Sequence, residues 1–440
     1  MAITEDRTAP SETSVPFAMR SPLHVPRERY YDREFFELEK EKLWPKVWQM
    51  ACRLEEIPEP GDFVEYEICD QSILVVRQPD RTIKAFHNAC RHRATQLRKG
   101  SGRVDSQIVC PFHGWRWNLD GTNSFVYGEE AFAPECLQPD DLRLQECQVD
   151  TWGACVWINM DPDARPLRDA LSPGAALLDA VGVENMRVWW WKETILEANW
   201  KMAQEAFLEG FHTMRTHPQL TMGEGEAWDA GQISYSVFEN GHSRFQANER
   251  RSGMTADQFI ESNRLLVEGQ DAMTLEQDLR VFHALRDKVP PDADFASAAI
   301  GALYEHAAEA GIPLAPLNEG MSLWGGEVFL FPNFFMLPQF GNSLSYRIRP
   351  YNDDPECCRF EVWSLTTYPE SQPLERARLK GRFARDDADN WGMIPLQDFS
   401  NIERQQRGLH SRSFQGLRLA TEWERAISNM HEELDRYLAR

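Results

Sequence analysis

No apolar run in this sequence is long enough to cross a bilayer. The longest candidate, Val328 to Gly341, is interrupted by Pro332, Asn333 and Pro338. The opening residues, Met1 to Ser14, lack the basic start and apolar stretch of a secretion signal and read as a polar, disordered arm. Cysteine is sparse, with nine in 440 residues, an odd number spread thinly along the chain. A disulfide framework is excluded on that count. A reducing compartment, the cytoplasm, is the expected location. Basic charge is in deficit, 47 Lys and Arg against 69 Asp and Glu, and the net charge of −22 argues against nucleic acid or an anionic membrane as partner. Internal repeats and low-complexity tracts are absent, and no Gly-rich dinucleotide fingerprint follows a strand-like segment, so this chain has no visible means of holding a nicotinamide.

What is present divides into two textures. Residues 29–50 carry apolar side chains at helical spacing (Phe35, Phe36, Leu38, Leu43, Trp44, Val47, Trp48) and predict a lead-in helix or helix pair. From Ile57 to Ile158 short alternating segments with frequent turn residues predict a small all-β domain. Beyond Asp161 the pattern is mixed. A strand is expected at Arg187–Leu196, a helix from Trp200 to His212, and helices over 255–312 with a break at Val289-Pro290-Pro291. Strands follow at Glu327–Phe331, Phe334–Leu337, Ser343–Pro350 and Arg359–Thr367, then a helical tail, Glu375 to Arg440, broken near Pro395. The length favours two domains. The expected fold class is α+β, with an arm at 1–46, an all-β domain at 47–162 and a mixed domain at 163–440 carrying a helical insertion at about 255–312.

Two constellations stand out. Cys90-Arg91-His92 and Cys110-Pro111-Phe112-His113 form a C-x-H and C-x-x-H pair separated by 17 residues. Two thiolates and two imidazoles suit either a tetrahedral zinc or a [2Fe–2S] cluster. Each segment supplies one Cys and one His, so two similar loops can place both Cys on one iron and both His on the other. Gly114, Gly100 and Gly102 permit tight turns around them. About a hundred residues later, Glu209 and His212 are three apart and share a face if helical, and His217 follows five beyond, before Pro218. The proline biases His217 out of the helix, so the helix is expected to end between the two histidines. Two imidazoles and one distant carboxylate would make a 2-His-1-carboxylate triad with open positions on iron.

The segments Asn88–Arg93 and Cys110–Trp115 closely resemble the two Rieske boxes of ring-hydroxylating and related oxygenases, with Phe112 where Tyr is frequent. The run from Asn199-Trp200-Lys201 through Glu209, His212 and His217-Pro218 resembles the same family's iron-binding segment. Glu209 stands where aromatic dioxygenases generally carry Asp and where relatives acting on quaternary amines carry Glu. Asp398 to Leu409 resembles the segment that supplies the third ligand. Asp386, Asp387 and Asp389 lie just upstream as competing acids.

The resemblance spans nearly the whole chain and implies a Rieske [2Fe–2S] domain joined to a helix-grip catalytic domain. Cys90, His92, Cys110 and His113 would hold the cluster; His212, His217 and Asp398 would hold Fe(II). Glu209 would bridge the cluster of one subunit to the iron of the next in a homotrimer, with or without a small β subunit. NAD(P)H would act through a separate reductase, with or without a ferredoxin. The leading expectation is hydroxylation or cis-dihydroxylation of an aromatic compound. Alternatives are a monooxygenase or demethylase acting on a quaternary amine or other non-aromatic substrate, and a non-catalytic electron carrier or zinc protein. Phe211, Trp324, Phe335 and Met336 are candidate pocket residues, each read first as core.

Overall fold

The computed structural model describes residues 15–210, 212–220, 233–247, 254–317, 326–373 and 375–440; the arm Met1–Ser14, Phe211 and Trp324 lie outside them. No helix among the described residues is long and apolar enough to cross a membrane.

The chain folds as α+β, an all-β unit followed by a large antiparallel sheet with helices. The lead-in is shorter than its spacing suggests. Only Arg33–Lys42 is α-helical, started by Asp32, whose carboxylate accepts the Phe35 N–H at 2.9 Å. Val47 and Trp48 instead approach the strand Gln49–Arg53, which is buried along its whole length and so carries no period by which to tell helix from strand. That strand is one edge of a seven-stranded sheet, followed in order by Cys155–Asn159, Glu146–Trp152, Ile83–His87, Gln71–Arg77, Asp62–Ile68 and Ser101–Arg103. A three-stranded sheet, Gln107–Val109, Arg116–Asn118 and Asn123–Phe125, stands beside it.

The second sheet has eight strands, in the order Ile233–Val237, Ser243–Ala247, Gly326–Leu330, Phe334–Gln339, Asn342–Tyr351, Asp354–Thr367, Met186–Leu196 and Gly381–Arg382. Alternation divides its side chains between two cores. Val328, Leu330, Met336 and Trp363 face the helix Gly174–Asp179 and Trp157 of the β domain. Phe329, Phe335, Tyr346, Phe360 and Val362 face the opposite way, toward the helix Met393–Leu409 and the helix Trp200–Glu205. The insertion forms three helices, Ala256–Gln270, Glu276–Leu285 and Phe295–Ala310, with the Pro290-Pro291 break between the last two. The tail departs from expectation. Pro395 lies within the first turn of Met393–Leu409, where no N–H is needed, so it starts the helix instead of breaking it.

The helix Trp200–Glu205 is buried at all six positions and is tied down by three remote segments. Glu39 of the lead-in helix pairs with Lys201 at 2.6 Å and accepts the Trp200 indole N–H at 3.1 Å. Tyr30 donates to Glu205 at 2.8 Å, and the His431 Nε2 lies 2.8 Å from the same carboxylate. Arg29 donates from Nε to His431 Nδ1 at 3.1 Å, which fixes the imidazole as neutral with its proton on Nε2. Burial first, then the positive Arg29 and Lys201, hold His431 well below its ordinary range, consistent with that tautomer.

Lys201→Met leaves Glu39 charged without its cation and should destabilise the fold by ~3–5 kcal/mol, while adding Glu39→Leu recovers most of the loss; urea unfolding of the three proteins checks this. Burial pushes Glu205 up to about 8. The folded chain therefore keeps a proton that the unfolded chain releases near the ordinary carboxylate pKa. Stability should decline as pH rises from about 4.5 toward 8, and the decline should be shallower in Glu205→Gln, measured as unfolding free energy against pH.

Candidate metal centres

The first cluster is built from two loops with one backbone design. In one, Cys90 N–H donates to Thr95 O at 2.9 Å and Ala94 N–H donates to Cys90 O at 2.9 Å. In the other, Cys110 N–H donates to Trp115 O at 2.8 Å and Gly114 N–H to Cys110 O at 3.1 Å. The fifth residue of each turn has positive φ, +60° at Ala94 and +72° at Gly114. Glycine meets that demand freely, whereas Ala94 holds it against its own preference.

Asn88 braces the first loop, accepting the N–H groups of Leu97 and Arg98 at 3.1 Å each. Both cysteines are buried, while the imidazoles reach toward the surface beside exposed Phe112. The Nδ1 atoms of His92 and His113 stand 3.1 Å apart, and His92 stacks on Trp115 at 4.8 Å. Burial and then the positive field of His113 lower His92, favouring the neutral ring that binds metal. Burial, with the Cys110 thiol beside it, raises Cys90.

The donors thus gather as a thiol pair inside and an imidazole pair outside. Among the described residues, three donor atoms within 4.8 Å of one another occur only at His212, His217 and Asp398, so these four do not close on a single ion. A tetrahedral zinc needs all four donors about 2.0–2.3 Å from one point. Two pairs facing each other across a gap suit a two-iron cluster instead.

The second cluster forms where the sheet's inner face meets two helices. The expected helix Trp200–His212 ends early, at Glu205, and a second short helix, Thr213–Thr216, lies between the histidines, which flank it at its two ends. Glu209 therefore meets His212 through a turn and not through a helical face. Its Oε1 lies 2.7 Å from His212 Nδ1 and its Oε2 accepts the His212 backbone N–H at 3.0 Å. Burial works to lower the His212 pKa, but the Glu209 hydrogen bond and charge, with Asp398, outweigh it and raise the ring.

Asp398 sits in the buried stripe of Met393–Leu409, among Ile394, Phe399, Ile402 and Gln406. Its Oδ1 is 2.9 Å from His217 Nε2 and 3.9 Å from His212 Nε2. His217 is oriented by Gln397, whose Oε1 lies 2.8 Å from its Nδ1. Of the competing acids, Asp387 is occupied capping its own turn, accepting from Asp389 and Asn390 at 3.1 and 3.2 Å. Two imidazoles and one carboxylate gathered at one point, with the second nitrogen of each ring already bound, is a donor set suited to a mononuclear iron with open positions.

The two ligand segments are held in register. Glu403 and Gln406, on the helix of Asp398, accept the N–H groups of Glu197 and Asn199 at 3.0 and 3.1 Å. Gln397 and Tyr235 were not visible as site residues in the sequence. Gln397 is next to a ligand, but its role depends on the helix turn. Tyr235, whose hydroxyl accepts the Gly210 N–H at 3.1 Å, arrives by strand pairing. Of the candidate pocket residues, Phe335 lies on the metal-site face, 5.6 Å from Phe207, whereas Met336 packs on the opposite core.

Comparison with known proteins accords with this arrangement. The family described as "Rieske [2Fe-2S] domain" matches residues 47–128, and "Ring hydroxylating alpha subunit (catalytic domain)" matches residues 183–440. The carnitine monooxygenase oxygenase subunit of Escherichia coli (strain K12) is 34% identical over 196 residues, 44% of this chain and 52% of that one. The alpha subunit of 2-aminobenzenesulfonate 2,3-dioxygenase from Alcaligenes sp is 30% identical over 222 residues, 49% and 55% of the two chains. The chain thus spans about half the length of the curated relatives it matches.

A quaternary ammonium Rieske monooxygenase in complex with L-carnitine shares the fold with a TM-score of 0.64 at 18% identity over 95% of this chain and 97% of that one. Naphthalene 1,2-dioxygenase with indole bound gives 0.67 at 18% over 96% and 94%. With its catalytic portion matched over more than half its length and its Rieske portion matched besides, the chain belongs to the Rieske non-haem iron oxygenases, as an alpha subunit of the ring-hydroxylating family.

Proposed function

We propose that this chain is a terminal oxygenase component that hydroxylates a small organic substrate with O₂ and electrons relayed from NAD(P)H by a partner reductase, with or without a ferredoxin. The supporting observation is the presence in one chain of a split Cys-Cys and His-His donor set and a separate His212–His217–Asp398 cluster. Cys90, Cys110, His92 and His113 would hold a [2Fe–2S] cluster within a domain at 47–162, and His212, His217 and Asp398 an Fe(II) within a domain at 163–440. When bound, the cluster supplies single electrons and the Fe(II) binds and activates O₂.

The chain's own residues set the conditions. Glu209 and Gln397 hold the two rings through their Nδ1 atoms, leaving each Nε2 toward Asp398. Both Glu209 oxygens already bind His212, yet each keeps a lone pair, so the carboxylate can also accept an N–H from His113 of a neighbouring copy in a homotrimer. On an aromatic ring the outcome is a hydroxylated or cis-dihydroxylated product; on an N-methyl cation it is one inserted oxygen and loss of formaldehyde. Labelled O₂ distinguishes them by counting atoms in the product.

Anaerobically purified protein should contain three irons and two acid-labile sulfides per chain. His212→Ala should retain two irons and the Rieske spectrum and lose O₂-dependent turnover. Two irons in the unaltered protein would instead indicate an electron carrier, and zinc without sulfide a structural site. Gln397→Leu frees the His217 ring and should weaken metal retention at the mononuclear site by about 10–100-fold, read as loss of the third iron during chelator titration while the cluster spectrum persists.

A further inference from the structure

Glu327 is a buried acid without a partner among the described residues. It is 2% exposed, on the strand Gly326–Leu330. Every other buried Asp and Glu among the described residues has a hydrogen bond or an ion pair: Glu39 with Lys201, Glu361 with Arg347, Glu193 with Arg382, Glu403 with Arg385, Asp278 with Asn342. Glu327 has neither. Burial first, and then the negative Glu209, push its carboxyl well above the ordinary range, and among the described residues no Lys or Arg is a cause in the other direction. A buried carboxyl without a counterion is normally eliminated from a core unless something outside the chain completes it.

Strand register shows where it points. Directly paired residues project to the same face. Tyr235 pairs with Phe245 and Phe245 with Glu327, while Phe329, two residues on, pairs with Phe335 and Phe335 with Tyr346. All of them lie on the face that receives Asp398 and the loop of His212. Tyr235 accepts the Gly210 N–H beside Glu209 at 3.1 Å, and Phe360 on the same face meets Phe399, next to Asp398, at 5.3 Å, so the Glu327 carboxyl lies on the side of the sheet that carries the metal donors. Aromatic side chains share that side of the sheet: Phe207 lies 4.7 Å from Tyr346 and 5.6 Å from Phe335.

We infer that Glu327 is the anionic half of a subsite for an alkylated ammonium group, so that the substrate oxidised beside it is an organic cation. This deepens the oxygenase reading and rests on it. A cation would supply the missing countercharge, and the rings of Phe207, Phe335 and Tyr346 would favour its alkyl groups through their negative faces. An anionic substrate would meet Glu209, Glu327 and Asp398 together. An uncharged hydrocarbon would leave Glu327 as it is found.

The experiment uses the iron-loaded, anaerobic protein and two probes of equal shape, choline and its neutral isostere 3,3-dimethylbutan-1-ol, titrated by calorimetry. The unaltered protein should bind choline about tenfold or more tightly than the isostere. Glu327→Gln should erase that gap by weakening choline and changing the isostere less than about twofold. Equal binding of the two probes by the unaltered protein overturns the inference without reference to any variant, and so does a Gln variant that keeps the preference. Iron content of the same samples separates the two readings. Three irons with no cation preference defeats the subsite alone, whereas absence of the third iron defeats the oxygenase reading.

Discussion

The metal pocket depends on a six-residue helix that has no means of standing by itself. Trp200–Glu205 is far too short to persist in water. Its position is set by polar bonds from the lead-in helix through Glu39, from Tyr30, and from His431 on the final helix. Because these partners are buried, each bond must be made or a charged or polar group is stranded, so the constraint is close to all-or-none. The loop that carries Glu209 and His212 leaves from the end of this helix. Its placement against Asp398 is fixed separately, by Glu403 and Gln406 holding the backbone at Glu197 and Asn199.

Around that pivot the large sheet serves as a partition. One face meets the β domain through Trp157 and, at its polar end, through Arg347, which donates to the carbonyls of Met50 and Ala51 at 2.8 and 2.6 Å. The other face carries an aromatic core and the acids Glu327 and, on the helix packed against it, Asp398. Glu361 pairs with Arg347 and Arg349 beneath the β domain. The carboxylate on the β-domain face is thus paired within the chain, whereas Glu327, on the face next to the metal donors, has no partner among the described residues.

Much of this was legible in the sequence, for identifiable reasons. The gathering of Cys90, His92, Cys110 and His113 was readable because both loops are local: each Cys and His is placed by a turn of a few residues. The nearness of His212 and His217 was readable for the same reason, although the local structure was not. A helix interrupted at Ala206 and restarted at Thr213 puts Glu209 beside His212 by a route that helical periodicity does not describe. Asp398 was chosen by resemblance; its position in a buried stripe, where apolar residues belong, is a signal that sequence alone offered only faintly. Glu327 and Tyr235 were illegible. Their meeting is made by pairing between strands some ninety residues apart, with Phe245 as the link. The hairpin of Tyr235 did have a trace, the alternation of Ile233, Tyr235 and Val237.

Two segments far apart in sequence clasp each other. Strand His24–Pro26 pairs with Gly416–Arg418, and Arg29 reaches Asp435 at 2.6 Å. The β unit between them closes by Asn159 using only strands already synthesised, Gln49–Arg53 onward. On the ribosome, therefore, the scaffold of the Cys90 and Cys110 loops can be finished while the pocket still lacks its last wall. Tyr30 and Glu205 meet their shared partner only once His431 has been added. On that order of synthesis the scaffold of the Cys90 and Cys110 loops precedes the helix of Asp398, and a chain stopped between Asn159 and Asp398 would carry the first without the second.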